Sequence, residues 1–86
     1  MPYIPKEERE QLRGGAIPHT PGQLNYLITT VIDEYLTEKG ISYTTLNDVA
    51  GVLAWVHTEI ARRIYIPYEK KKQSQNGDVF KCIEHL

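Results

Sequence analysis

Leu46, Val49, Leu53, Val56, Ile60 and Ile64 recur in alternating steps of three and four. That spacing commits the middle of the chain to one long helix with a heptad-like apolar seam. Ser42 to Thr45 supply hydroxyl caps for its start. Ala50, Gly51 and Ala54 form a neighbouring face of little bulk, where another helix backbone fits closely, and Val52 and Trp55 lie on a different part of the surface. A helix with more than one apolar face needs more than one neighbour.

A second long helix precedes it. Thr20-Pro21-Gly22-Gln23 reads as a start signal, with Thr20 as N-cap, Pro21 in the first turn and Gln23 three residues on to complete a capping box. Leu24, Leu27, Ile28, Val31, Ile32, Tyr35 and Leu36 follow at helical spacing as a stripe wide enough to face a core, and Gly40 supplies the stop. Upstream, Pro5 opens a short helix through Leu12 that Gly14-Gly15 ends, giving residues 1–19 the character of a docked arm. Downstream, Pro67 is expected to kink or break the seam-bearing helix, since it lacks an amide proton and its ring crowds the carbonyl four residues back. A further helical segment through Lys72 is compatible with the composition. Asn76-Gly77 is a turn dipeptide, and residues 78–83 alternate as a short strand or docked tail would, so 76–86 form an extended C-terminal tail.

The resulting expectation is a mainly all-α single domain over residues 1–86, with two long antiparallel helices, a short N-terminal helix and the tail. A chain of 86 residues buries only about 60–65 % of its unfolded surface. Two long helices do not cover this much apolar surface, so the excess faces the N-terminal helix and a second copy, and a helical homo-oligomer is expected. No apolar run approaches the ~20 residues of a membrane span. The N-terminal Met1-Pro2-Tyr3-Ile4-Pro5 and the acidic run after it fit neither a signal nor a transit peptide, which reads as cytoplasmic. Cys82 is the single cysteine, in keeping with a reducing compartment.

Charge singles out one segment. Residues 62–72 hold five cations (Arg62, Arg63, Lys70, Lys71 and Lys72) against Glu69, although the chain as a whole carries −1. Arg62 and Arg63 lie three and four residues beyond Glu59, so surface ion pairs explain them as well as a forked contact to phosphate would. The three lysines suit a solvated helix end. Tyr68 and Tyr26 are candidates to stack on a base and equally suit the margin of a helical core. Asn25 and Asn47 are mid-helix amides that each need a partner, most simply across a helix pair. The candidate ligand-binding set is therefore Arg62, Arg63, Tyr68, Lys70, Tyr26 and Asn25. His19, His57 and His85 lack metal-ligand spacing. His57 with Glu59, or Asp33 with Glu34, diverge on a helix and bring no nucleophile. No metal, cofactor or catalysis is expected.

Met1-Pro2-Tyr3-Ile4-Pro5, Gly22-Gln23-Leu24-Asn25-Tyr26, Arg62-Arg63 with Pro67-Tyr68-Glu69, and Asn76-Gly77-Asp78-Val79-Phe80 together resemble a family of small phage and bacterial proteins of unknown function, over nearly the whole chain. In size and helical character the chain is also similar to the homo-oligomeric nucleotide sponges that phages deploy against CBASS or Thoeris defence. That likeness implies a non-enzymatic phage protein, acting in the cytoplasm of the infected bacterium, that sequesters a cyclic oligonucleotide or cyclic ADP-ribose signal. The alternative is a protein–protein adaptor or inhibitor that applies the same apolar faces to a host partner. A nucleic-acid partner is disfavoured by a pI near 6.3 and by four cations against eight carboxylates in residues 1–61.

Overall fold

A computed structural model describes all residues from Met1 to Leu86. The chain is mainly helical and has no strand: α1 (Lys6–Arg13), α2 (Pro21–Lys39), α3 (Tyr43–Ile60), a π-helical turn (Ala61–Tyr65), α4 (Ile66–Asn76) and a 3₁₀ turn (Cys82–His85). It divides into two compact units, Met1–Val49 and Ala50–Leu86, with the division inside α3.

The first unit is tied together at the start of α2. Thr20 Oγ1 accepts from the Gln23 backbone N–H at 3.1 Å, as a capping residue should. The Gln23 side chain then bonds in two directions. Its Oε1 accepts from the His19 N–H at 2.8 Å, and its Nε2 donates to Glu8 Oε1 on α1 at 2.6 Å. One glutamine thus caps α2 and clamps α1 to it. Gly22 lets the arm pass close by: a Cβ there would lie 3.2 Å from Ile4 Cγ2 and 3.4 Å from the Met1 carbonyl oxygen. The N-terminal Met1-Pro2-Tyr3-Ile4-Pro5 and the Gly22-Gln23 pair are thereby two sides of one contact.

The buried core of this unit is Leu12 and Tyr26, at 5 % and 6 % exposure. It does not lie under the stripe that the sequence marks as the core face. Tyr26 sits about 140° around α2 from Val31, at 100° per residue, and the helix turns its Tyr26 side to α1. Leu24, Ile28 and Val31 stay exposed. Gly40, with φ of 84°, ends α2 in a conformation that favours glycine. Ser42 and Thr45 then cap α3 reciprocally: Ser42 Oγ accepts from the Thr45 N–H at 3.1 Å and Thr45 Oγ1 accepts from the Ser42 N–H at 2.9 Å.

In the second unit Pro67 does not break the helix. The turn before it widens, so that the Ile66 N–H donates to the Ala61 carbonyl five residues back, and α4 begins with Pro67 in its first turn. Proline is tolerated there because a first-turn N–H has no intrahelical acceptor to lose. The widened turn inserts one residue into the register. Tyr65 therefore occupies the place that residue i+7 from His57 would hold in an unbroken helix. Their rings meet edge to face at 6.0 Å. Gly77, with φ of 86°, closes α4. The tail forms no strand. Asp78 Oδ1 captures the Phe80 N–H at 2.9 Å, and the chain curls into the Cys82–His85 turn. Without a neighbouring strand its alternation has no ladder to join.

Candidate functional site

The six residues singled out from sequence fall in both units. Asn25 and Tyr26 belong to the first. Asn25 Oδ1 accepts from Thr29 Oγ1 at 3.0 Å, four residues along the same helix, where a bond across a helix pair was expected. Tyr26 is a core residue and its hydroxyl has no hydrogen-bond partner. A ring that stacks on a base needs an open face, and packing closes this one.

Arg62, Arg63, Tyr68 and Lys70 belong to the second unit. Arg62 Nη1 lies 3.9 Å from Glu59 Oε2 and Arg63 Nη1 lies 3.8 Å from Glu59 Oε1. The side chains are largely solvent-exposed, so each pair contributes no more than about 0.5 kcal/mol. Lys72 places its ammonium 5.6 Å from the centre of the Tyr68 ring, an exposed cation–π contact of about 0.5–1 kcal/mol.

Lys70 lines a cleft of about 600 Å³ between α4 and the returning tail. Tyr65, Ile66, Val79, Phe80 and Ile83 give it apolar walls. Glu69, Lys70, Lys72, Gln73, Asn76 and Asp78 bring ammonium, carboxylate and amide groups to it. The volume falls within the range of about 300–1,000 Å³ usual for small-molecule sites. Helix geometry explains the α4 wall: residues 66, 70, 73 and 77 recur at three and four and share one face. The other wall depends on Gly77, whose positive φ turns the chain out of α4.

The lining holds two lysines and two carboxylates, Glu69 and Asp78, so it is not simply an anion trap. It suits a ligand with both an anionic group for Lys70 and Lys72 and N–H donors for Glu69 and Asp78, carried on a flat apolar body. Arg62, Arg63 and Tyr68 are not part of the lining. Tyr65, Gln73, Asn76, Val79, Phe80 and Ile83 are, and among them only the Asn76–Phe80 motif stood out in the sequence.

No curated protein and no solved structure matches the chain significantly. A family model does match, over residues 1–79, so that it takes in the arm, all four helices and the turn as far as Val79 while stopping short of Phe80, Ile83 and the 3₁₀ turn. The chain belongs to the family described as a domain of unknown function, DUF6899.

Proposed function

We propose that this chain is a non-catalytic binder that sequesters a nucleotide second messenger, of the cyclic oligonucleotide or cyclic ADP-ribose type, and works as a homo-oligomer in a phage's evasion of host immunity. The observation that carries the reading is the cleft between α4 and the tail. It has a volume suited to a nucleotide, apolar walls from Tyr65, Ile66 and Phe80 for a base, and Lys70 and Lys72 for phosphate. The carboxylates of Glu69 and Asp78 supply acceptors for the amino and imino edges of a base or for ribose hydroxyls. Arg62 and Arg63 sit three and two residues upstream of the first cleft residue, Tyr65, and add to the positive field near it. Sequestration asks only for affinity and copies of the site.

Calorimetry and thermal-shift titration with cyclic dinucleotides, cyclic trinucleotides and cyclic ADP-ribose isomers test the reading. A saturable heat with at least one of them, lost in Lys70→Glu, is expected. Ligand released by heat denaturation should be chemically intact. The absence of heat and shift across the whole panel would remove the proposal.

A second reading, that of an adaptor or inhibitor of a host protein, draws on the exposed apolar residues of α2 and α3. Pull-down from host lysate that retains a partner stoichiometrically, with no nucleotide response, would favour it.

A further inference from the structure

Two aromatic rings line the cleft, Tyr65 from the helical wall and Phe80 from the tail. They are held in different ways. Tyr65 lies in the widened turn, inside the helical hydrogen-bond ladder, and His57 meets its ring edge to face at 6.0 Å. The ring is nevertheless 50 % exposed. A ring braced at its edge and open to solvent is a platform for a flat ligand.

Phe80 has no such brace. It is 65 % exposed, and Ile83 beside it on the tail is 46 % exposed. The hydrogen bonds of residues 78–86 close within the segment: Asp78 Oδ1 accepts from the Phe80 N–H, and the Lys81 and Ile83 carbonyls accept from the Glu84 and Leu86 N–H groups. No hydrogen bond or ion pair ties the segment to α4. A segment with so few anchors opens and closes far more readily than the helix it faces. Gly77 is its joint. The φ of 86° there suits glycine, and nothing lies within 4 Å of the place a Cβ would take, so no neighbour crowds the turn.

We infer that Tyr65 and Phe80 are the two jaws of an aromatic clamp for one planar ring, Tyr65 fixed and Phe80 carried on a tail that closes about Gly77. The ligand class is then narrower than an anion with an apolar body: it must present an aromatic ring with both faces free, as a nucleobase does. Asp78 and Phe80 move together, because the bond from the Phe80 N–H to Asp78 Oδ1 joins them. Closing therefore brings the second carboxylate oxygen, Oδ2, toward the ligand along with the ring, where it accepts from an amino or imino edge. Lys70 and Lys72 stay on the fixed wall for the anionic group. The inference rests on the cleft being the ligand site, and it assigns the tail the part that moves.

Limited proteolysis and hydrogen exchange of the full chain test it. Lys81 is the one Lys or Arg in residues 78–86, so trypsin cleavage there reads the tail alone. The probes are the cyclic nucleotides, anilinonaphthalene sulfonate as an unrelated flat anion with an N–H, and ribose phosphate as an anion without an aromatic ring. Saturating nucleotide or dye should slow cleavage at Lys81 and amide exchange across Val79–Ile83 severalfold, and ribose phosphate should not. Phe80→Leu, which keeps an apolar side chain and removes the ring, should weaken nucleotide and dye about tenfold, and Phe80→Tyr should bind as the wild type does. A ring-bearing ligand that binds while Lys81 is cut as in the free protein would overturn the clamp, as would a Phe80→Leu that binds like the wild type. Protection by the dye with no response to any nucleotide would keep the clamp and remove the nucleotide reading; nucleotide binding without protection would do the reverse. No saturable binding of nucleotide or dye would remove both.

Discussion

Replacing Gln23 with alanine removes a clamp whose size follows from its two contacts. The 2.6 Å bond from Nε2 to Glu8 Oε1 is partly buried and charge-assisted, a class that contributes about 1.5–3 kcal/mol. The 2.8 Å bond from the His19 N–H is exposed and contributes about 0.5–1 kcal/mol. Alanine returns a few tenths of a kcal/mol of helix propensity. The net expectation is a loss of about 2 kcal/mol. For a chain of this length that lowers the thermal midpoint by about 10 °C, read by circular dichroism at fixed protein concentration.

The loss should also be local. With α1 unclamped, trypsin should cut after Lys6, Arg9 and Arg13 faster than in the wild type, because cleavage follows the population of the open arm. A double-mutant cycle with Glu8→Ala should return a coupling of about 1.5 kcal/mol, since the two side chains touch. A midpoint within ~2 °C of the wild type, with arm cleavage unchanged, would refute the clamp.

Other expectations follow from the same geometry. Gly22→Val places a branched side chain where Ile4 Cγ2 and the Met1 carbonyl already lie within 3.4 Å of a Cβ; it should displace the arm at a cost of about 1–3 kcal/mol, seen as a lower midpoint and faster N-terminal proteolysis. Pro67→Ala restores a backbone N–H and removes the reason for the widened turn, so nuclear Overhauser contacts between the His57 and Tyr65 rings should vanish; their persistence would mean that Pro67 does not set the register. Arg62→Ala and Arg63→Ala should each change stability by no more than about 0.5 kcal/mol, and a larger loss in chemical denaturation would show that the pairing with Glu59 has been undervalued.

Local chemistry was legible in the sequence. Thr20, Pro21 and Gln23 act on backbone groups within three residues, so the start of α2 follows from them, and Gly40 ends it for an equally local reason. The response to Pro67 was less legible, because breaking, kinking and widening a turn all accommodate a missing N–H and the choice depends on the helix on both sides. The Leu24–Ile28–Val31 stripe was correctly read as apolar, yet periodicity does not say which element covers a stripe, and α1 packs on the Tyr26 side instead. For the same reason Tyr26 looked available for stacking when it is core. The tail's alternation imitates a strand, but a strand needs an edge that this chain does not supply. The cleft was only partly visible: Lys70 came from charge, while Tyr65 and Phe80 reach it through a return of the chain that no spacing rule encodes.

Native mass spectrometry of the chain, incubated with the panel of cyclic nucleotides, reads assembly and sequestration in one spectrum. The expected result is an ion series at a multiple of 9.9 kDa carrying the mass of an unmodified nucleotide. A single series at the monomer mass, free of adduct under every nucleotide tried, would contradict both.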